Sequence, residues 1–415
     1  MQINKRKGKC KSDKFQFIEF SERDLYNNIM DVKTLGELCN IVAGGTPSRS
    51  NVEFWENGTI PWIKIGNIKG KYIQAPDEFI TQKGLDNSSA KMLPKGTVLY
   101  TIFATLGEVG ILNIDACTNQ AIAGLTIKDE KQLNTDYLYY YLVSKKTYVN
   151  TVGRGVAQNN INMSILRSFK LPLLPICEQK KIVKILDKVN DLRNGYQLVI
   201  SSLDNLIKAR FVEMFGDPVA NDKGWKTKPL LDMGKCKNGM NFHYDDSGVE
   251  ISCLGVGDFK DLSVIDNVKK LSIVSLNEMP SEEYLLKDGD IVFVRSNGNK
   301  DLVGRSLAIY PGNLPTTFSG FCIRYRIHDD EITVPYLLRV LKMESMRKKM
   351  AGRGANIQNL NQQILGTLVI PVPPIELQNQ FADFVRAIDK SKVAVQKSLD
   401  ETQLLFDSLM QKYFG

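Results

Sequence analysis

Residues 153–162 read GRGVAQNNIN and residues 352–361 read GRGANIQNLN, two versions of one segment set 199 positions apart. The same offset carries Tyr137 and Leu138 onto Tyr336 and Leu337, and Leu142 onto Leu341. It carries LPLLPICEQ (171–179) onto IPVPPIELQ (370–378), with Pro172 on Pro371 and Pro175 on Pro374, and Phe215-Gly216 onto Phe414-Gly415. A chain written twice must fold as two related units, because each copy brings the same buried pattern. Upstream the match loosens. LPKGTVLY (93–100) resembles LKDGDIVF (286–293) and Val109-Gly110 resembles Val303-Gly304, at offsets of 193 and 194. Further upstream the halves share almost nothing. Each half is thus a variable segment followed by a constant one, an arrangement that suits a ligand nearly twofold itself, of which duplex DNA is the commonest. Duplication serving stability alone gives more and shorter units.

The constant segments read as long helices. From Glu178 the apolar positions Ile182, Ile185, Val189, Leu192, Tyr196, Val199, Leu203 and Leu206 step by alternating threes and fours, which is a heptad seam. Proline at 172 and 175 stops what precedes and admits a helix start, while Gly195 inside the pattern costs about 1 kcal/mol relative to alanine. The second copy keeps Phe381, Phe384, Ile388, Val395, Leu405 and Leu409 but places Ser391, Ser398 and Thr402 on the seam. It is weaker alone and suited to packing on the first. Some 30–35 residues at a 1.5 Å rise give roughly 45–52 Å, a ruler between two heads. A long helix serving only as core fits the same spacing.

The variable segments alternate and break at glycines, as in LPKGTVLYTIFATLGEVGIL, DGDIVFVRSNGN and TTFSGFCIRYRI, so strands and turns alternate. NTDYLYYYLVSKKTYVNTV and TVPYLLRVLKMESMRKKMAG read as amphipathic helices beginning after Asn or Thr. Tyr137, Tyr139, Tyr140 and Tyr141 spread around such a helix, which makes them core and surface contacts more readily than a base-stacking platform. The fold class is therefore α/β, in the α+β sense: two heads joined by two long antiparallel coiled-coil helices, with a pseudo-twofold internal repeat.

With 415 residues, 43% hydrophobic and 24% charged, the chain has the composition of a soluble globular protein of two to four domains. No apolar run reaches membrane-spanning length. The N-terminus is basic without an apolar stretch behind it, so it is no secretory signal. Seven scattered cysteines, without a CxxC or Cys/His cluster, read as free thiols of a reducing cytoplasm and not as a zinc site. The net charge of +8 permits nucleic-acid binding without showing it, and Lys5, Arg6, Lys7, Lys9 and Lys11 read as a solvated tail.

Catalytic constellations are absent from the sequence. His243 and His328 lack metal-ligand neighbours, and there is no GxSxG, GxGxxG or GxxxxGK[ST]. Val372-Pro373-Pro374-Ile375 lacks the amide and aromatic that a base-flipping adenine methyltransferase needs. Pro76-Asp77 and Glu178-Gln179-Lys180 lie too far apart in sequence to argue for a nuclease, and Glu178 opens a helix, where a carboxylate is expected. The chain reads as non-catalytic.

Several strings then converge. VAGGTPSRSNVEFWENGTIPWIKIGNI (42–68) resembles the opening of a target-recognition domain in the specificity (S) subunits of type I restriction–modification systems. FGDPVANDKGW (215–225) is similar to the junction into their second recognition domain, and SCLGVGDF (252–259) with RSNGNKDLVGRS (295–306) to segments within it. The proline-rich starts of both helices resemble that family's conserved regions. Where the family shows a double Gln, this chain has Gln179-Lys180 and Gln378-Asn379, expected on the helix surface. The resemblance runs from about Val32 to Gly415. It implies a first recognition domain at 32–174, a first spacer helix at 175–215, a second recognition domain at 216–373 and a second spacer helix at 374–415, while residues 1–31 fall outside it and read as a basic tail.

The resemblance implies a non-catalytic, cytoplasmic DNA-recognition subunit. Each head would read one half of a split, asymmetric double-stranded DNA site, and the helices would set the spacer. Two methyltransferase (M) subunits would dock around the helices and two restriction/translocase (R) subunits could join. AdoMet, ATP and Mg are expected in those partners and no cofactor in this chain. The alternative is a stand-alone DNA-binding regulator or scaffold. The seams and proline-rich starts would leave apolar surface exposed, so the chain alone is expected to be poorly soluble.

Phosphate contacts position a protein on duplex DNA and base-edge contacts specify the sequence. In the first head Thr46, Ser48 and Arg49 lie on a Gly/Pro-fixed turn, with Lys64, Asn67, Lys69 and Lys71 following. In the second, Arg295, Ser296, Asn297 and Asn299 occupy a glycine-containing turn, with Lys300 and Arg305 close behind. Arg154, Asn159, Asn160, Arg353 and Asn359 recur in both copies, which suits shared work such as phosphate contact, or a turn and helix N-cap.

Overall fold

The computed structural model describes residues 31–74, 76–153, 160–242, 247–259, 264–351 and 359–415. The expected basic tail therefore lies, apart from Asp31, outside the described residues. The first head is built from β1 (Asp31–Thr34), β2 (Cys39–Ala43), β3 (Ile60–Ile63), β4 (Tyr72–Ile73), β5 (Phe79–Ile80), β6 (Val98–Thr101), β7 (Val109–Leu112), β8 (Cys117–Thr118), β9 (Ile122–Ile127) and β10 (Lys170–Leu173). The second has β11 (Thr227–Pro229), β12 (Gly234–Asn238), β13 (Val249–Leu254), β14 (Val264–Ile265), β15 (Ser272–Leu276), β16 (Asp290–Val294), β17 (Ser306–Ile309), β18 (Thr316–Phe318), β19 (Cys322–Ile327) and β20 (Val369–Pro371). The sheet orders are β2-β9-β6-β7-β4, β5-β3-β8 and β1-β10 in the first head. Adding ten to every label gives the second head, β12-β19-β16-β17-β14, β15-β13-β18 and β11-β20. The repeat thus extends through the region where the two sequences share almost nothing.

The five-stranded sheets are covered on both faces, which is why β6, β7, β16 and β17 are buried along their whole length. Alternation sends Val98 and Tyr100 to one face and Leu99 to the other. The first face packs on α1 (Thr135–Ser144), through Tyr137, Leu138 and Tyr141. In the second head Ile291 and Phe293 pack on α4 (Val334–Lys342), through Tyr336 and Leu337, while Val292 and Val294 face the other way. Asn134 caps α1 by accepting the Tyr137 amide. The single helix expected in each head is two: α1 gives way to α2 (Lys146–Gly153), and α4 leaves the helix at an extended Met343 before α5 (Glu344–Ala351). Tyr137, Tyr140 and Tyr141 are buried core residues, with their hydroxyls donating to Pro172 O, the Asp187 carboxylate and Lys170 O.

The two constant segments form α3 (Ile176–Phe215) and α6 (Ile375–Phe414), forty residues each against the thirty-odd expected. The chain divides into two compact units, residues up to Tyr196 together with Ser398–Gly415, and Gln197–Lys397. In the first unit Ile182, Val183, Leu186 and Val189 of α3 and Phe406, Met410 and Phe414 of α6 complete the core of the first head. The start of α3 meets the end of α6 there, so the two run antiparallel in this unit. In the second, Ile207, Phe211 and Phe215 of α3 and Phe381 of α6 complete the other core, with Phe211 and Phe381 ring centroids 5.5 Å apart. Gly216, at φ +75°, ends α3 in the left-handed cap that glycine favours.

The seam along α3 departs from the expected one. Ile182, Val189, Tyr196 and Leu203 turn inward, but Ile185, Leu192, Val199 and Leu206 are 42–53% exposed. Leu186, Arg193, Ile200 and Ile207, one residue further on, take the inward places. A step of three or four satisfies a heptad equally, and burial against the heads selects the alternative. On α6 Phe381 is buried, while Leu405 is 50% exposed and its neighbour Phe406 is buried instead.

Both helix starts are pegged to their heads by a glutamine. Gln179 accepts from the Asn134 amide and donates to Gln132 O and Leu174 O. Gln378 accepts from the Thr333 amide and donates to Glu331 O and Pro373 O. Both are fully buried, which corrects their expected place on the helix surface: the side-chain amide satisfies backbone groups that the head buries and water cannot reach.

Candidate nucleic-acid interface

In each head one end of the five-stranded sheet carries loops held by few, well-defined bonds. In the first head the Gly44 amide donates to Ile122 O (3.0 Å) and Gly45 to Thr118 O (2.8 Å) as the chain leaves β2. A Cβ at either glycine would strike atoms of Thr118 and Asn119 or of Ser89 and Ala90, so both positions need glycine. The Trp62 indole donates to Gly45 O (3.0 Å) and the Trp55 indole to Ser48 O (3.1 Å). Thr46 donates to Gln120, and Ser48 is exposed.

Arg49 lies 3.7 Å over the Trp55 ring and pairs with Glu78 at 2.6 Å. Lys64 pairs with the other oxygen of the same carboxylate. The hydrogen bond from Lys64, with that of Arg49 behind it, holds Glu78 below the usual carboxylate range. The structure thus brings Arg49 and Lys64 together around one acid. Asn67 folds back to accept the Lys64 amide at 2.9 Å, and Lys69 projects from the next turn, exposed.

Lys71 has a different setting. Its ammonium, 12% exposed, lies between Asp136 (2.8 Å) and Asp187 (2.5 Å), tying the first head to α3. Tyr72 donates to Asp136 and Tyr140 to Asp187. Burial pulls the Lys71 ammonium down, and hydrogen bonds to Asp136 and Asp187 more than offset it, leaving the group raised.

The second head presents the equivalent end through other residues. The Arg295 amide donates to Phe321 O (2.7 Å), and Leu360 donates to Arg295 O (2.8 Å). Arg295 and Ser296 are half-buried, while Asn297, Asn299 and Lys300 are exposed. Asn297 accepts the Asn299 amide and Asn299 that of Asp301, so both side chains shape the turn. Arg305 closes the loop by donating to Asp301 O and Phe259 O. Asn160 bridges Phe103 through its backbone, and Asn359 is exposed just before Leu360. Arg154, Asn159 and Arg353 lie outside the described residues. The N-cap work expected of the repeated asparagines falls two residues later, where Asn162 caps the short helix Met163–Arg167 and Asn361 caps Gln362–Gly366.

Residues 27–198 and 222–402 match the family described as Type I restriction modification DNA specificity domain. The chain belongs to that family. Specificity subunits are the non-catalytic, DNA-recognising part of the type I restriction–modification enzyme, whose cofactors belong to partner subunits. This specificity subunit is 25% identical to the MjaIX specificity subunit of Methanocaldococcus jannaschii, over 95% of each chain. It is 20% identical to the EcoKI specificity subunit of Escherichia coli, over 92% of this chain and 88% of that one. Among solved structures its fold is similar to the S subunit from M. genitalium (TM-score 0.51, 17% identity, 94% of this chain and 97% of that one). It is also similar to a chain from a structure on complex assembly of the type I R-M system (TM-score 0.57, 17% identity, 93% and 97%).

Sequence reasoning missed several parts of this specificity subunit's frame. Trp55 and Trp62 as loop clamps, and the two buried glutamines, were legible only as isolated residue types. The recurrence of Gln179 and Gln378 at the repeat offset was the available signal. Among the described residues no group of three or more His, Cys, Asp or Glu is placed to hold a metal ion, and no helix is long and apolar enough to cross a membrane.

Proposed function

We propose that each head reads one half of a bipartite, asymmetric DNA site and that the two forty-residue helices set the unspecified spacer. The observation that carries this reading is the pairing of ten strands in one order in both heads with unlike loops at the same sheet end. A shared frame with different rims is what two related readers of two different sequences need. Thr46, Ser48, Lys69, Arg295, Ser296, Asn297, Asn299, Lys300 and Asn359 sit on or beside those rims, where phosphate and base-edge contacts would be made. Arg49, Lys64, Asn67 and Arg305 would hold the loops that present them, and Lys71 would anchor the head to its helix. The division of labour follows the boundaries 32–174 and 216–373 for recognition and 175–215 and 374–415 for spacing.

The partners would be two M subunits gathered around the helices, optionally joined by two R subunits. AdoMet for methyl transfer would come with M, and ATP and Mg with R. Ile185, Leu192, Val199 and Leu206 recur every seventh residue on α3 and stay exposed, a row of apolar side chains that a helical partner would cover. A complex directing adenine methylation of the cell's own DNA would act in the cytoplasm.

The test is co-expression with the adjacent methyltransferase subunit and mapping of N6-methyladenine with and without this chain. A single two-part motif that depends on the chain is expected. A stable complex whose methylation ignores the chain would overturn the proposal and favour a stand-alone regulator.

A further inference from the structure

The register of the central strands allows the two heads to be superposed residue by residue at their loop-bearing ends. In the first head Ile102 donates its amide to Ala121 O and accepts that of Ile161. In the second, Arg295 donates to Phe321 O and accepts from Leu360. Ile102 therefore corresponds to Arg295, Phe103 to Ser296, and Ala121 to Phe321.

Each head thus has one phenylalanine at this spot, on opposite members of an adjacent pair of strand ends. Phe103 leaves β6 in the first head, one step beyond the Ile102–Ala121 pair; Phe321 precedes β19 in the second and itself pairs with Arg295. Both residues keep a large part of their surface in solvent, Phe103 at 40% and Phe321 at 60% exposed, and neither belongs to a core. The two phenylalanines are not copies of one residue, so inheritance from the duplication does not explain them. What is shared is the place, not the position.

The backbone that carries each ring is fixed by its own bonds. Beside Phe103, Ala104 adopts φ +61°, a strained conformation for a residue with a side chain, and the Thr101 hydroxyl donates to Thr105 O and accepts the Glu108 amide. Phe321 follows Gly320, whose carbonyl accepts the Arg295 guanidinium, and its own amide donates to the Ser319 hydroxyl. Asn160 bridges Phe103 through its backbone, and Leu360, the residue after Asn359, donates its amide to Arg295 O, so each strand end that carries a ring is joined by backbone to a segment bearing a repeated asparagine. Apolar rings beside hydrogen-bonding groups are what proteins press against bases, on a thymine methyl or into a base step.

We propose that Phe103 and Phe321 are the aromatic base contacts of their respective heads, each laid against the bases of its own half-site. The inference rests on the two-headed DNA-reading role above and adds a specificity-determining residue in each head.

The experiment uses the full chain assembled with its methyltransferase partner. Phe103→Ala and Phe321→Ala are each tested for the methylated motif and for affinity to site-containing and site-free duplexes. Each variant is expected to relax or lose one half of the motif and spare the other, with specific affinity falling by about tenfold or more. Binding to site-free DNA and the unfolding temperature should stay unchanged, since neither ring is in a core. The double change Phe103→Ser with Ala121→Phe moves the first head's ring to the place used by the second, and should restore affinity or alter the half-motif beyond what Phe103→Ala gives. If wild type writes a two-part motif and the variants keep its specific-to-nonspecific ratio, the inference is wrong. If wild type writes no chain-dependent motif, the two-headed reading has failed and the inference falls with it.

Discussion

The carboxylate of Asp290, 1% exposed, takes two parallel hydrogen bonds from the Arg326 guanidinium, each 2.7 Å long. Strand register places Thr97 and Thr126 at the equivalent points of the first head, where their hydroxyls lie 3.2 Å apart. One frame therefore accepts an ion pair or a hydroxyl pair at the same point. Asp290→Thr alone leaves a half-buried guanidinium without its partner and is expected to cost about 3 kcal/mol. Asp290→Thr with Arg326→Thr imitates the first head and should cost less than the single change. Denaturant unfolding of both variants reads the difference as a coupling energy.

Replacing Gln179 or Gln378 by leucine removes three hydrogen bonds to backbone groups that the head has buried. Each change is expected to destabilise its own unit by roughly 2–4 kcal/mol. Hydrogen exchange should report the loss at the Asn134 amide in one case and the Thr333 amide in the other.

Lys69 and Lys71, two residues apart, should behave as opposites. Lys69→Ala removes an exposed charge, and is expected to lower the slope of log affinity against log salt for duplex DNA by about 1. Lys71→Met should leave that slope unchanged and destabilise the first unit by about 2 kcal/mol, because Asp136 and Asp187 lose their shared cation. Salt titrations and thermal melts on both variants separate the two effects.

Lys342 closes α4, where burial, reinforced by Arg339, with Lys392 and Arg305 adding to it and Asp204 opposing, brings its ammonium down to about 8. Below that value both the folded and unfolded chains hold the proton, and the cost of a buried charge is fully present. Above it the folded chain releases the proton while the unfolded chain keeps it up to its ordinary value near 10.4. This group's contribution to stability therefore rises with pH between those limits. The stability of Lys342→Met relative to wild type should fall as pH rises from 7 to 10. Paired melts at matched pH cancel the opposing titration of the buried cysteines and tyrosines.

The exposed row on α3 makes a prediction of its own. Ile185→Lys with Leu192→Lys should improve the solubility of the isolated chain and weaken capture of the methyltransferase subunit by at least tenfold, a change of about 1.4 kcal/mol or more. Neither side chain is in a core, so unfolding should shift by under about 0.5 kcal/mol. Pull-down and melting curves give the two readouts.

The two long helices, the antiparallel arrangement and the α/β heads were legible because a 199-residue offset and a three-four spacing are properties of the chain itself. The identity of the inward face was not. Ile185 and Leu186 are adjacent and both apolar, and only the head packed against them decides which is covered. The same holds for Lys71, whose type and strand-and-turn position suggest phosphate until Asp136 and Asp187 arrive from distant segments. The common strand order of the heads was hidden because a sheet needs apolar residues at alternate points and tolerates many identities there. Gly124 in β9 meets Leu93, whereas Arg324 fills the equivalent place in β19.

Phe406, Met410 and Phe414 belong to the core of the first head, although the whole second unit, Gln197–Lys397, lies between them and the last strand of that head. A ribosome finishes residues 197–397, a continuous stretch that can close on itself, before it has made those three side chains. The head encoded first is therefore the head completed last. During synthesis Tyr137 and Tyr141 wait with an open flank for Phe414, reversing the usual N-to-C order in which domains mature. Chains released after residue 397 should hold a protease-resistant second unit beside a first that is still cleavable.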